Sequence, residues 1–252
     1  MMNDKDELKK STKAFGFIGE YAGVSRLSAV LNRMFKENSK DAMIIPMNIR
    51  EDDLFFTISN MKQSKLDGAV ISNEYVAQVV EILDDAPSMV KRSGMCDIIF
   101  KKDERLRGDI FSTRVLTEYL KDIAASKIAI IGINHHAKAF SFLACGFEVS
   151  YFNENLEQLM EFTTEVELHN ADLNRVADDM PIDFSLFDVV LDFSDMESLS
   201  MITSLAKFNF DMKNSKEFSA LKQRAGEIDA NYTSYDDIVE KFCDRAYTAI
   251  IK

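Results

Sequence analysis

The sequence is poor in the residues that cross-link or interrupt a chain. Its 252 residues include three cysteines, three prolines, nine glycines and no tryptophan. The cysteines, Cys96, Cys145 and Cys243, are far apart and form no CxxC pair, so we expect neither a disulfide framework nor a zinc site. They are expected to be small buried hydrophobes in a reducing, cytoplasmic compartment. No apolar run approaches the roughly 18–20 residues that cross a bilayer, so no membrane partner is expected.

Positive charge is also scarce. Thirty Lys and Arg residues stand against 42 Asp and Glu residues, which gives a net charge of −12. Such a chain repels phosphate backbones unless a local basic patch exists. The densest basic stretch, 101–107, itself contains Asp103 and Glu104. We therefore expect no nucleic-acid partner. The length allows one large domain or two small ones.

Short apolar runs alternate with amphipathic stretches in the first part of the chain. Strands are predicted at Ala14–Gly19, Ala42–Ile49 and Gly68–Ser72. Helices are predicted from Ser25, over Asp52–Gln63 and from Asn73 to about Leu83, the second with Leu54, Phe55, Ile58 and Met61 on one face. Strands separated by such helices indicate right-handed crossovers and a mostly parallel sheet.

The rhythm then breaks and restarts. Cys96–Phe111 predicts two strands around a polar turn, and Ser112 opens a helix. Further strands are predicted at Lys127–Ile133, Glu148–Phe152 and Phe187–Phe193, with a last helix capped by Ser234 or Asp236. We therefore predict an α/β protein with a cleft between two domains. A mixed α/β, substrate-type domain comprises 13–112 and about 234–252, and a Rossmann-like parallel-sheet domain comprises 113–233.

A dinucleotide fingerprint would lie in the turn after Lys127–Ile133. The glycines of G-x-G-x-x-G let a pyrophosphate approach the backbone at a helix N-terminus. Here the run reads G-I-N-H-H-A-K-A, and only Gly132 remains. Asn134, His135 and His136 carry side chains where phosphates need space. The two adjacent histidines would point about 100° apart on a helix, so no metal site is expected.

Several segments resemble, in order and spacing, those of one known family. They are I-G (Ile18–Gly19), L-N-R-M-F (Leu31–Phe35), L-D-G-A-V-I-S (Leu66–Ser72), S-G-M-C-D-I-I (Ser93–Ile99) and R-L-R-G-D-I-F-S (Arg105–Ser112). This order resembles the shikimate dehydrogenase family over about 13–155, and less securely over the last helix. The resemblance implies a two-domain NAD(P)-linked oxidoreductase fold.

The family's proton-transfer pair does not carry over. By the resemblance, its catalytic lysine falls on Val76 and its partner aspartate on Ser112. Valine cannot exchange a proton, and serine titrates far from neutrality without an activating base. Asp109 matches another aspartate of the same motif. Ser112 and Asp109 are thus the remaining candidates for proton transfer, although Asp109 also suits a turn-capping carboxylate.

The substrate positions implied by the resemblance are mixed. Ser25 retains the first of two serines that hold the substrate carboxylate, whereas the second falls on Leu27. A family threonine becomes Ser72, an asparagine becomes Asp97 and a glutamine becomes Lys241. An Asp97–Lys241 charge pair is then expected across the cleft. Each residue also suits ordinary capping or surface chemistry.

The cofactor positions are altered as well. The resemblance assigns cofactor contact to Gly132, Asn134, His135, Asn153 and Glu154. Glu154 stands where NADP-preferring members carry an arginine for the 2′-phosphate. A carboxylate repels that phosphate and accepts hydrogen bonds from a ribose hydroxyl, so NAD is favoured over NADP if a dinucleotide binds. A charge favoured by a helix N-terminus is the alternative for Glu154.

Four functions follow from this pattern. The first is a divergent shikimate dehydrogenase-like protein that lacks the standard NADP-linked activity and binds a small polar ligand. The second is an active NAD(P)-dependent oxidoreductase, on shikimate or a related hydroxy acid, that uses replacement residues. The third is a non-catalytic interaction or regulatory protein. The fourth is an unrelated α/β protein whose motif match is accidental. A monomer and a homodimer both remain open.

Overall fold

Two five-stranded β-sheets organise the described part of the chain. The computed structural model describes residues 12–169, 171–214 and 216–252. They divide into two units. The first unit comprises the described residues up to Pro87, together with Cys96–Phe111 and Val239–Lys252. The second unit comprises Ser88–Met95 and Ser112–Ile238.

The first sheet is mixed. Its strands are β1 (Lys13–Gly19), β2 (Ala42–Asn48), β3 (Gly68–Ile71), β4 (Ile98–Lys102) and β5 (Arg105–Asp109), in the order β2-β1-β3-β4-β5. The first three strands run parallel, and β4 and β5 form an antiparallel hairpin joined to β3. Asp103 and Glu104 both have positive φ in the hairpin turn, as two-residue turns between twisted strands require.

Helices α1 (Arg26–Glu37) and α2 (Glu51–Met61) follow β1 and β2. In α2, the side chains of Leu54, Ile58 and Met61 are buried at the predicted helical spacing. Phe55 is 67% exposed, so its predicted place on the buried face is wrong. Phe55 follows Leu54 by about 100° around the helix, which turns its ring away from the core.

The single helix predicted from Asn73 to Leu83 is also wrong. The segment forms two 3₁₀ turns, Asn73–Tyr75 and Gln78–Ile82. Val76, Val79 and Ile82 are all buried. Their spacing of three residues matches the 3₁₀ period, whereas an α-helix would rotate them progressively off one face.

The second sheet is entirely parallel. Its strands are β6 (Lys127–Ile131), β7 (Glu148–Asn153), β8 (Asp172–Arg175), β10 (Val189–Asp192) and β12 (Phe208–Asp211), in the order β12-β10-β6-β7-β8. The chain moves outward in one direction from β6 and then returns to the other side of it. The switch in strand order therefore lies between β6 and β10. A separate two-stranded sheet pairs β9 (Ile182–Asp183) with β11 (Ile202–Ser204).

The remaining helices are α3 (Ser88–Ser93), α4 (Ser112–Asp122), α5 (His135–Leu143), α6 (Leu156–Glu165), α7 (Ala220–Glu227) and α8 (Val239–Ile251). Helix α8 belongs to the first unit and packs on α1. Together these elements give the predicted α/β class, with one mixed and one parallel sheet. Within the described residues, no helix is long and apolar enough to cross a bilayer.

The two units divide the chain at other residues than the predicted domains do, and Ser112 is one of the residues that lie in the second unit. Residues 88–95 lie in the second unit, because α3 packs on α5 and Met95 Sδ lies 4.0 Å from Thr113 Oγ1. Residues 234–238 also lie there, where the Tyr235 N–H donates to the carbonyl of Lys213. These placements come from tertiary contacts, which the local sequence does not encode.

The cysteines only partly follow expectation. Cys96 and Cys243 are buried, and burial raises the pKa of both thiols. Cys145 is exposed in the turn after α5, so its predicted burial is wrong. That turn lies at the surface, where Gly146 takes a positive φ.

Gly68 is a very tight point of the first sheet. A Cβ placed there would overlap the Ile99 carbonyl oxygen and lie 2.5 Å from the Phe15 ring. We predict that Gly68→Ala costs about 3 kcal/mol or more of unfolding free energy, because a backbone atom must move. Urea unfolding measures this cost.

Gly16→Ala is the matched control. Its Cβ would lie 3.0 Å from the flexible Met47 sulfur, so the expected cost is below about 1 kcal/mol. Equal costs for the two variants would contradict the packing described for Gly68.

Candidate functional site

The carboxyl end of the first sheet carries Ser72, and its hydroxyl is engaged within the protein. It donates a 2.5 Å hydrogen bond to one carboxylate oxygen of Glu74. The other oxygen of Glu74 accepts the Glu20 N–H at 2.8 Å. Glu74 was not predicted as a site residue from the sequence. The sequence feature that could have identified Glu74 is its acidic side chain soon after the end of a strand.

Ser25 caps helix α1. Its side-chain oxygen accepts the Leu27 N–H at 3.2 Å, and the Leu27 side chain is buried. In the first turn of the helix, Ser28 is 6% exposed, and its hydroxyl has no hydrogen-bond partner among the described residues. A buried hydroxyl without a partner is costly, so Ser28 lowers the stability of this helix start.

The position implied for the catalytic lysine is structural. Val76 is 3% exposed, and its carbonyl accepts the Cys96 N–H at 2.8 Å. The neighbouring Tyr75 donates its hydroxyl to the Ile49 carbonyl at 2.8 Å. Burial, and then the charges of Glu74, Glu20 and Glu51, raise the pKa of Tyr75 to about 12. Neither side chain exchanges a proton readily near neutral pH.

Asp97 is 2% exposed, and its carboxylate accepts the Phe111 N–H at 2.7 Å. Asp109 ends β5 and accepts the Ile110 N–H at 2.8 Å, which fits its turn-capping alternative. Lys241 is exposed on α8, and its pairing with Asp97 stays a prediction. In the second unit, Ser112 is the buried first residue of α4, and its catalytic role likewise stays a prediction.

Gly132 directly follows β6, at the switch point of the second sheet. Its φ is +83°, and a Cβ there would lie 2.7 Å from the backbone of Ser194. The glycine is therefore required by the close approach of the chain that leaves β10. The close approach lies at the end of the parallel sheet where doubly wound folds bind their ligands.

Asn134 is the N-cap of α5. Its side-chain oxygen accepts the N–H groups of His136 and Ala137, at 2.9 and 3.3 Å. Free N–H groups in this first turn are what a helix N-terminus offers to a phosphate. Two of them are already satisfied by the protein itself.

The two imidazoles that follow differ in exposure, because His135 is exposed and His136 is buried. His135 Nδ1 lies 3.2 Å from the Ser93 carbonyl oxygen. His136 is 7% exposed and stacks on Phe193 with ring centroids 5.9 Å apart. Burial, and then His135 and Lys213, lower the pKa of His136 to about 4, so it is neutral at pH 7.

These residues do not fit a dinucleotide pyrophosphate at the start of α5. The amides of His136 and Ala137 are capped by Asn134, Gly132 is the one fingerprint glycine present, and His136 is neutral. Among the residues that the structure describes, no group of three or more His, Cys, Asp or Glu side chains could hold a metal ion.

The segment at and after the end of β7 contains the cofactor candidates Asn153 and Glu154. Asn153 ends the strand and donates its side-chain N–H to the Asn155 carbonyl at 3.0 Å. Glu154 is exposed, and Asn155 caps α6 by accepting the Glu157 N–H at 2.9 Å. The preference for NAD over NADP rests on Glu154 and stays a prediction.

The structure contains a buried pair of aspartates that was not predicted from the sequence. Asp192 ends β10, Asp211 ends β12, and the two are paired neighbours in the parallel ladder. Asp192 accepts the Ser194 hydroxyl at 2.6 Å, and Asp211 accepts the hydroxyls of Ser219 and Tyr232 at 2.5 and 2.9 Å. An acidic residue at the end of each apolar run was the available signal. The sheet order that brings the two together was not available.

Asp192 binds a proton at a higher pH than an ordinary aspartate does. Burial, and then repulsion from Asp211, raise the pKa of Asp192 to about 6 despite the hydrogen bonds from Ser194. Burial also raises the pKa of Asp211. The positive charge of Lys213 opposes both of these pKa increases, and its Nζ lies 3.6 Å from Asp195.

Comparison with known proteins supports the resemblance found in the sequence. No family model matches the chain. An NADP-dependent shikimate dehydrogenase of Dictyoglomus turgidum is 23% identical over 166 residues, which span 64% of this chain and 60% of that relative.

Solved structures decide the fold. Shikimate 5-dehydrogenase of Thermus thermophilus, in complex with shikimate, matches with a TM-score of 0.71 over 94% of this chain and 93% of that one, at 12% identity. The chain has the shikimate dehydrogenase fold. The ligand-free 5-ketofructose reductase of Gluconobacter sp. strain CHM43 matches with a TM-score of 0.69 over 92% and 90%, at 13% identity.

The shared shikimate dehydrogenase fold excludes an accidental motif match. By their contacts and exposure, the candidate residues fall into two groups. Ser25, Ser72, Asp97 and Asn134 each bond to other parts of the chain. Lys241 and Glu154 lie at the surface.

The acidic pair makes stability depend on pH. The pKa of Asp192 is about 6 in the folded chain against an ordinary value of 3.8, so its stabilising contribution is complete below about pH 4 and is lost as pH rises through about 6. Between about pH 5 and about pH 8, we predict that the native chain loses about 1 kcal/mol more stability than Asp192→Asn. Urea unfolding at the two pH values measures the difference.

His136 acts in the opposite direction, because a lowered pKa costs stability as pH falls. It is present in both proteins, so its contribution cancels in the comparison. Parallel pH profiles for the native chain and Asp192→Asn would contradict a proton held by this pair.

Proposed function

We propose that this chain lacks the standard NADP-linked oxidation and reduction of shikimate and binds a small polar ligand through its first unit. The proposal joins two features of a shikimate dehydrogenase fold. The second unit does not offer a dinucleotide the contacts it needs, and the first unit keeps polar side chains at the carboxyl end of its sheet.

The Asn134 cap on α5 supports the proposed absence of dinucleotide contacts in the second unit. A pyrophosphate at a helix N-terminus needs free N–H groups and close access to the backbone. The Asn134 side chain uses the N–H groups of His136 and Ala137, and a ligand would have to displace it. Displacement would also cost the stability of a good N-cap, about 1 kcal/mol.

The loss of the proton-transfer pair supports the same conclusion. Hydride transfer from a hydroxyl requires a group that accepts its proton. The lysine position holds the aliphatic, buried Val76. Tyr75 beside it has a pKa of about 12 and donates its hydroxyl to a carbonyl. The first unit therefore offers no suitable base at this position.

The polar groups of the first unit indicate the ligand's chemistry. The hydroxyl of Ser72 and the carboxylate of Glu74 form a hydrogen-bonded pair at the carboxyl end of the sheet. Glu20, Glu51 and Glu74 all act on the Tyr75 hydroxyl, so negative charge gathers at this end of the sheet. Such surroundings favour a ligand rich in hydroxyl groups over one that presents a carboxylate.

One observation favours an active oxidoreductase as the second candidate. Asp192 holds a proton with a pKa of about 6, which suits acid–base exchange near neutrality. The similarity to a 5-ketofructose reductase shows that this fold is shared with a protein named for a different substrate. In that case Asp192 would join Ser112 and Asp109 as replacement candidates.

Turnover separates the two candidates. We predict that the purified chain, mixed with shikimate and either NAD or NADP, produces no more reduced nicotinamide than a protein-free blank, because both the base and the phosphate contacts are missing. Absorbance of the reduced cofactor measures this. An active shikimate dehydrogenase in the same buffer is the positive control. Robust turnover would overturn the proposal, and its loss in Asp192→Asn would favour the second candidate.

A further inference from the structure

A cavity of about 750 Å³ lies in the second unit, away from the strand ends discussed above. It is lined by the first residues of β7 and β8, whereas Asn153 and Asp192 stand at the carboxyl ends of their strands. Its volume lies in the range of small-molecule sites. The lining residues that matter most are Arg92, Phe142, Cys145, Glu148, Glu167 and Asp172.

Two helix ends give the cavity a negative potential. Helix α5 ends at Leu143 and α6 ends at Glu165, and the residues directly after each helix line the cavity. The C-terminus of a helix carries partial negative charge and unsatisfied carbonyl groups. The cavity therefore attracts positive charge.

Side chains add to this potential. Three carboxylates line the cavity, from Glu148, Glu167 and Asp172, against one permanent cation among the described lining residues, Arg92. Lys127 lies 3.5 Å from Glu148 but does not line the cavity. The lining keeps an excess of negative charge even when this neighbour is counted.

Arg92 shows how a cation is held here. Its guanidinium carbon lies 4.3 Å from the centroid of the Phe142 ring, and its Nη2 lies 3.3 Å from Glu167. An aromatic face and a carboxylate together are a common binding arrangement for organic cations. Phe147 and Tyr151 extend the aromatic part of the lining, and the Tyr151 and Ser141 hydroxyls share a 2.8 Å hydrogen bond.

We infer that this cavity binds a small organic ammonium ion that carries an aromatic or similarly apolar body. The ammonium group would lie near the helix ends and the carboxylates of Glu148 and Asp172. The apolar body would pack on the aromatic lining. This site is independent of the ligand proposed for the first unit.

Cys145 offers a direct readout. It is exposed and lines the cavity, whereas Cys96 and Cys243 are buried. The uncharged reagent iodoacetamide should therefore alkylate Cys145 first, and mass spectrometry can follow the rate. We predict that 2-phenylethylammonium slows this alkylation in a saturable manner, while uncharged 2-phenylethanol and anionic 3-phenylpropanoate protect at least about tenfold less well.

Variants test the source of the affinity. Glu148→Gln combined with Asp172→Asn should weaken protection by 2-phenylethylammonium at least about fivefold, because two carboxylates are lost. Glu157→Gln, in the first turn of α6, removes a carboxylate at the opposite end of that helix and should leave protection unchanged. Circular dichroism confirms that each variant folds.

Three results would overturn the inference. They are no protection by the ammonium probe, equal protection by 2-phenylethanol, and undiminished protection in the double variant. Each result is independent of turnover with shikimate, so failure here is distinguishable from failure of the proposed function.

Discussion

The side chain of Asn134 accepts two N–H groups at the start of α5, and the proposed absence of a dinucleotide site depends on this contact. A helix N-terminus must satisfy its first amides with a side chain, water or a ligand. Asn134 satisfies two of them within the chain, and the neighbouring residues also make contacts within the chain. His136 stacks on Phe193 in a neutral state, and Gly132 lets the ends of β6 and β10 meet. The contacts of this turn are therefore made between residues of the chain itself.

The first unit uses its polar residues in a similar way. Ser72 bonds to Glu74, and Asp97 fixes the backbone at Phe111. Buried polar groups need partners, and these groups find most of them within the chain. Side chains that resemble ligand contacts in sequence also form hydrogen bonds within the fold, and their ligand contacts stay a prediction.

The sequence predicted the alternation of strands and helices well, because strands buried on both faces appear as continuous apolar runs. It failed where two structures share one pattern, as in 73–83, and where a single residue lies between faces, as Phe55 does. For the site, the sequence located Asn134 but could not distinguish a cap from a cofactor contact, since both use the same position. Asp192 and Asp211 were missed because only the strand order makes them neighbours.

Calorimetric titration of the native chain with NAD and with NADP tests the central claim most directly. The account predicts no saturable heat with either dinucleotide, because the amides at the start of α5 are already bonded to Asn134. One-to-one binding of either dinucleotide, lost when Gly132 or His135 is replaced, would show that the start of α5 opens to receive a pyrophosphate and would contradict the account.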